Sequence, residues 1–570
     1  MSTEDEHEEA PAVPQTRAQM RAAREAAEAA AAEREAAEQE AAERKVAAFE
    51  AAAQEDVEAT ATPTATPAPT IPEPSGPIFL PAAPAEPAES AEPDPDLQPP
   101  APFGRDADVP ASQPKTSRKF VITLASVLGV LVLGGIGLGV VSLLQGPRIS
   151  NVQVDAAQAI ESSGSRVILT ANQTLADIDP EQVTVEPAVP FTVDASGRGV
   201  GVRFTVPLDD STTYTVSVAD VVGTGGGPST TLTTSFETPA SNIFLLRREV
   251  DGIDKIFLTD LGGEQAVPVF EHDKINDFRA TSNQLVVSVE DDDGSRLFVM
   301  DRDGANEREL TLPGEGYVGA IQVSDRGGFV GYSYSDRELS DTEGRASVLV
   351  TQSLSGEDEP EITEVAGEEA SVFAWQFVPD SAAVLFIDFD GALALIDRST
   401  DSDVQSLGLA STIQGISRGT YTAIVERLDG TVVELNLADG TEEPLAASDP
   451  DYGTATSITP FPGGTLRHVV ARDEAGLPIG QAVVRVDDDG TATPLVEVGS
   501  TDSVLQACAS PSGQYAAVAV APDLANNPYD GMLLPLPENV ETHLIDMETG
   551  EELVALTGFD ASWCQTGPRF

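Results

Sequence analysis

The spacing of apolar residues changes character several times along the chain. Residues 1–14 are acidic and without period. From Thr16 a run of Ala, Glu and Arg ("TRAQMRAAREAAEAAAAEREAAEQEAAERKVAAFEAAAQ") predicts a helix over about 16–58, because these residues lose little freedom in a helix. Thr16 and Gln19 stand at capping-box spacing, and Glu40 precedes Arg44 by one turn in the favourable order. Met20, Val46 and Phe49 are too few for a heptad seam. The expectation is a solvated single helix, with a weak coiled coil as the alternative. Residues 59–114, which include "TATPTATPAPTIPEPSGP", cannot bury a core and read as an extended Pro-rich linker. Phe120 to Leu144 then runs without a charge. Such a run is long enough to span a bilayer, so residues 119–145 are expected to be one transmembrane helix. After it the period shortens to two. The strands "RVILTA", "QVTVEP", "GVRFTVPL", "TYTVSVADV" and "TLTTSFET" alternate between 148 and 239, divided by Gly, Pro, Asp and Ser turns.

Charge orients the span. Lys115, Arg118 and Lys119 flank one end and Arg148 the other. The positive-inside rule therefore places residues 1–118, a helical and disordered acidic tail, in the cytoplasm and the rest outside. Gly135 and Gly139 have GxxxG spacing, which serves helix packing with or without dimerisation. The formal net charge of −62 repels nucleic acid, so no nucleic-acid partner is expected.

Beyond 241 a longer period appears. Strand pairs joined through Asp, Asn or Gly recur seven times: "IFLTDLGGEQAVPV", "LFVMDRDGANERELTL", "VLVTQSLSGEDEPEITEV", "LALIDRSTDSDVQSLGL", "VVELNLADGTEEPLAA", "AVVRVDDDGTATPLVEV" and "THLIDMETGEELVALTG". An inner hairpin precedes six of them, such as "FRATSNQLVVSV" and "CASPSGQYAAVAV". The first is preceded only by "NIFLLRRE" (Asn242 to Glu249). Repeats of this length mark a propeller. The terminal "ASWCQTGPRF" has the cadence of the missing inner strand, so the C-terminus is expected to close the first blade and remove the free sheet edges. Cys508 and Cys564 then fall on neighbouring inner strands, and a disulfide between them is expected; two buried free thiols are the alternative.

Two resemblances accompany this reading. Tyr214 to Val218, the "VADVVGTGG" loop and the closing Ser235 to Pro239 resemble bacterial Ig-like modules, without a Cys-Trp-Cys core. "SPSG" (Ser510 to Gly513), "VPDS" (Val378 to Ser381), "DRDG" (Asp301 to Gly304) and "LTLP" (Leu310 to Pro313) resemble the TolB-type and WD40-like propeller repeats. The expected fold is mainly β: an Ig-like β-sandwich over 148–239 and a seven-bladed β-propeller over 241–570.

Candidate chemistry is sparse. "GISRG" (Gly415 to Gly419) satisfies G-x-S-x-G, but a strand follows Ser417 where a nucleophile elbow needs a helix. Prolyl-oligopeptidase-like enzymes append a hydrolase domain to a propeller; with closure expected at 570, none is expected here. The acidic loops Glu290 to Gly294, Asp301 to Gly304, Asp388 to Gly391 and Val486 to Gly490 lack EF-hand spacing and read as turns, with calcium binding by one or two of them as the alternative. "GTGGGP" (Gly223 to Pro228) does not join a strand to a helix. His7, His272, His468 and His543 show no metal spacing. No catalytic residue, cofactor site or metal ligand emerges, and the chain is expected not to be an enzyme. The expected function is a membrane-anchored extracytoplasmic binding or scaffold protein whose propeller recognises a protein or cell-envelope ligand. The alternative is a transmembrane sensor coupling propeller occupancy to the cytoplasmic tail.

Overall fold

The computed structural model describes residues 126–129, 146–249, 252–340, 343–356, 358–400, 403–532 and 535–568. The helix expected over 16–58, the linker 59–114 and all but four residues of the span expected over 119–145 lie outside them. Among the described residues no helix is long and apolar enough to cross a membrane. The described chain is mainly β.

Residues 149–237 form two antiparallel sheets. One orders the strands Ile149–Gln153, Arg166–Ala171, Gly199–Phe204 and Phe191–Ser196; the other orders Val183–Glu186, Thr213–Val221 and Thr230–Glu237. The alternation in the sequence is the cause. Val167, Leu169 and Ala171 point inward from one strand while Arg166, Ile168 and Thr170 point outward. The inward set meets Val183, Val185, Tyr214, Val216 and Val218 of the other sheet in one core. A short helix, Ala156–Glu161, starts where the Asp155 carboxylate accepts the Gln158 N–H.

From Asn242 onward one meander repeats. The first sheet has three strands, Asn242–Arg247, Asp254–Asp260 and Val267–His272. Six four-stranded sheets come after it, starting at Ile275, Gly316, Val372, Thr412, Thr454 and Ser503. A small hairpin, Glu364–Val365 with Glu368–Glu369, stands between the third and fourth. Turn glycines are demanded by packing as well as by φ. Gly304 has φ +82°, and a Cβ there would lie 2.0 Å from the Val269 carbonyl oxygen.

The innermost strand of each four-stranded sheet reaches the next by a polar side chain. Asp277 accepts the Ile321 N–H at 3.0 Å. Gln322 donates to the Trp375 carbonyl at 2.9 Å and accepts the Phe377 N–H at 3.0 Å. Gln376 donates to the Ile413 carbonyl at 3.4 Å, and Gln414 accepts the Ile458 N–H at 3.2 Å. The Thr459 hydroxyl donates to the Ala507 carbonyl at 3.1 Å. Gln506 donates to Asp560 at 3.1 Å and to the Thr566 carbonyl at 2.7 Å. Asp560 accepts from Arg279 at 2.8 Å, which returns the series to the second sheet. Each of these six strands has a register irregularity at or shortly before the polar residue. A bulge re-aims a side chain. From these strands an amide, carboxylate or hydroxyl reaches across to the neighbouring sheet.

The C-terminal segment completes the first sheet, earlier in the chain than the sequence predicts. Leu246 and Phe559 exchange N–H···O bonds of 2.8 and 2.9 Å. Ser562 donates its N–H to the Phe244 carbonyl and accepts the Phe244 N–H, both at 3.1 Å. Where a strand is expected over 561–570, the described residues 561–568 form none: Ser562 and Trp563 lie in a turn. Asp560 has φ +56° and Gly558 φ +133°, so the backbone leaves the extended region where Asp560 is buried against Arg279. Cys508 and Cys564 are joined by a disulfide with a Cα–Cα distance of 5.4 Å. Trp563 stacks on Tyr515 with ring centroids 6.1 Å apart.

Replacing Gln322 with Met keeps the volume but leaves a buried carbonyl and a buried N–H of the fourth sheet unpaired. Gln322→Met is expected to lower stability by about 1–3 kcal/mol in urea unfolding, whereas Gln265→Met, on an exposed turn, leaves it unchanged.

Candidate functional site

An antiparallel meander sends its turns alternately to two ends. In every four-stranded sheet the first and third turns lie at one end of the central channel and the second turn at the other. The two ends differ in what they carry.

The first end is occupied by the two-sheet module. Ser163 donates its N–H at 3.0 Å and its hydroxyl at 2.7 Å to Asp380. Arg326 donates to the Ser163 carbonyl at 2.6 Å, and Arg302 pairs with Glu161 at 2.8 Å. Burial pushes the Glu161 carboxyl up, and Arg302 pulls it part of the way back. Asp210 accepts the Tyr515 hydroxyl at 3.0 Å and the Ser241 N–H at 2.7 Å, while its own N–H donates to Gln514 at 2.9 Å. Burial, then the Asp210 charge, raises the Tyr515 hydroxyl above its ordinary range. Beneath this contact two cavities of about 70 and 60 Å³ lie along the inner strands, enough for a few waters each.

The channel wall at the closure holds one arginine between two carboxylates. Arg279 lies 2.8 Å from both Asp277 and Asp560, with all three side chains at least nine-tenths buried. Burial drives Asp277 above the carboxylate range; Arg279 opposes this and Asp560 adds to it. Burial favours the neutral form of Arg279, but the two carboxylates outweigh it and hold the guanidinium charged. Arg279 Nη2 has no hydrogen-bond partner among the described residues.

Among the described residues none covers the second end. A cavity of about 520 Å³ is lined by Phe373, Trp375, Phe389, Leu536, Phe559 and Arg248, among others. Phe373 and Phe389 are 64% and 65% exposed, with ring centroids 6.2 Å apart in an edge-to-face arrangement. Phe373 is the second residue of the inner strand of the fourth sheet, Val372–Phe377, and Phe389 sits in that sheet's second turn, so one sheet presents both. Leu428, also exposed, lies 3.7 Å from where a Cβ on Gly391, two residues after Phe389, would be. Arg248 is engaged by Asp530 at 2.7 Å. A groove of about 890 Å³ continues outward from Phe389 along the Glu364–Glu369 hairpin.

The motifs singled out by sequence resolve as turns. Ser417 precedes a turn between two strands, and Gly419 there abuts the Thr205 carbonyl. Asp388 accepts the Asp390 and Ala392 N–H groups, and Asp489 accepts that of Thr491, which holds Asp489 below its usual range. Gly223 to Pro228 joins two strands of the module. His272, His468 and His543 lie on three different sheets, and His7 lies outside the described residues. Burial lowers His468, whose ring bonds Thr456 at 2.8 Å and Gln481 at 3.0 Å. Among the described residues no group of three or more His, Cys, Asp or Glu is placed to hold a metal. Sequence reasoning missed Phe373 and Phe389. The signal was the Phe inside "DFDG", a large apolar residue in a tight turn.

No protein-family model matches the sequence, and no curated protein is similar to it in sequence. Solved structures are similar in shape. A protein assigned as TolB from Agrobacterium tumefaciens has 16% identity over 56% of this chain and 91% of its own, with a TM-score of 0.30. The acylaminoacyl peptidase of Pyrococcus horikoshii has 12% identity over 55% of this chain and 52% of its own, with a TM-score of 0.37. A tricorn protease has 10% identity over 74% and 49%, with a TM-score of 0.33. The expectation that the chain is not an enzyme is corrected here. The solved structures it is similar to include a peptidase and a protease.

The module's seat depends on Asp380. Asp380→Ala is expected to speed hydrogen exchange at the Ser163 amide by about tenfold or more, with the inner-strand amides of the fourth sheet unchanged.

Proposed function

We propose that this is a membrane-anchored, extracytoplasmic binding and scaffold protein. In this reading residues 119–145 cross the bilayer with the N-terminus in the cytoplasm, 148–239 are an Ig-like spacer, and 241–570 are a seven-bladed β-propeller of the TolB-like or WD40-like type. Six four-stranded sheets, and a first sheet completed by the C-terminal segment, support the blade count. The observation that carries the functional reading is the difference between the two ends of the channel. One end is taken up by the module, and the other offers a cavity rimmed by exposed aromatic side chains. Clustered exposed apolar surface of this kind marks interaction sites. The spacer holds the array away from the membrane, and the open mouth faces the partner.

Two measurements test the two halves of this reading. A cysteine replacing the exposed Glu474 is expected to react with a membrane-impermeant maleimide in intact cells; protection until permeabilisation would overturn the topology. A photo-crosslinking residue at Phe389 is expected to trap a discrete partner in those cells, in clear excess over one at the exposed side position Glu497. Equal yields would overturn the mouth as the binding face.

A further inference from the structure

The chemistry around the open mouth narrows the class of partner. Phe373 and Phe389 stand out from the surface edge to face. The groove leading from Phe389 is lined by Glu364, Glu368, Glu369, Asp388, Asp390 and Asp403, and by no lysine or arginine. None of the six is in an ion pair among the described residues. The nearby cations are already committed. Arg345 is held by Asp336 at 2.8 Å, and Arg398 pairs with Glu361. Exposed aromatic faces beside carboxylates that outnumber the cations near them suit one kind of side chain: a cation on an apolar stem. Its charged head lies over a ring and its stem covers the ring face, while neighbouring cations meet the carboxylates.

We infer that the open mouth binds a basic polypeptide segment. It seats a Lys or Arg side chain on Phe373 and Phe389 and lays its flanking cations along the Glu364–Glu369 groove. A neutral apolar partner would leave the six carboxylates desolvated and unpaired, which costs free energy. A bare divalent cation would make no use of the aromatic pair. This inference rests on the mouth being the binding face and adds the charge and shape of what it takes.

The experiment uses the full chain and short oligolysine and oligoarginine peptides, with binding read by fluorescence anisotropy over a salt series. Binding that weakens steeply with salt is expected. Because any polycation is drawn to so acidic a protein, the variants decide. Phe373→Ala with Phe389→Ala is expected to weaken binding about tenfold with the salt slope unchanged, as loss of cation–π contacts requires. Glu364→Gln with Glu368→Gln and Glu369→Gln is expected to weaken binding and flatten the slope. Asp291→Asn with Asp292→Asn and Asp293→Asn, on the second sheet, is expected to change neither. Equal effects of the two acidic triples, or no effect of the aromatic pair, would overturn the inference in favour of diffuse attraction. Binding of a neutral leucine-rich peptide as tight as that of the basic ones would overturn it in favour of apolar docking. Displacement of bound peptide by millimolar calcium at constant ionic strength, in wild type alone and not in the Glu364/Glu368/Glu369 variant, would overturn it in favour of a metal site. If the basic peptides fail while Phe389 still crosslinks a partner in cells, the basic-partner inference falls and the binding face stands. If both fail, the binding face falls too.

Discussion

Everything in the array from Asn242 onward depends on one constraint: each inner strand must hydrogen-bond its neighbour through a polar side chain. Strands within a sheet pair through their own ladders, but neighbouring sheets share no ladder. The seven polar residues Asp277, Gln322, Gln376, Gln414, Thr459, Gln506 and Asp560 carry that connection around the channel. They are set in an apolar surround, where a missing partner costs more than a present one gains. Apolar packing takes the same path. One cluster contains Phe244 and Leu246 of the first sheet, Phe278 and Val287 of the second, Leu505 and Ala519 of the seventh, and Phe559 of the closing segment.

Closure fixes where the two ends of the channel point, and hence what each can do. Asp210 bonds the Ser241 N–H at the junction and the Tyr515 hydroxyl on the seventh sheet, so module and array are tied where the chain passes from one to the other. Ser163 and Glu161 tie the module to the fourth and second sheets across the same face. With contacts on both sides of the channel, that end is committed to the module. In the proposed reading, ligand chemistry falls to the opposite turns, which bear Phe389 and the carboxylates around it. A rigid scaffold with variable turns at one end is the usual way for such a fold to carry recognition.

Much of the architecture is legible in the sequence because it is written in period. Alternation exposes the strands of the module, and recurring Asp-Gly turns expose the repeat. The two scarce cysteines mark the closing segment. The place of closure lies a few residues earlier than the sequence predicts, because "GFDASWC" displays its cysteine more plainly than its aspartate. Set beside "VLQACAS" and "AIQVSDR", Asp560 occupies the position of Gln506 and Gln322. That correspondence depends on hydrogen bonding between sheets and leaves no hydrophobic signature. The mouth is harder still. Phe373 occupies an ordinary strand position in the sequence, and only the turn carrying Phe389 brings the two rings together in space.

The central claim is that closure through Asp560 supports the whole array and not only the chain terminus. Native-state hydrogen exchange of an Asp560→Ala variant tests it most directly. That change leaves Arg279 buried beside Asp277 alone and cuts the series at its last link, a loss of about 3–5 kcal/mol for a buried ion pair broken on one side. The account predicts lowered protection at inner-strand amides throughout, Ile321, Phe377 and Ile458 included. Loss confined to residues 558–566, with those distant amides as protected as in the wild type, would contradict it.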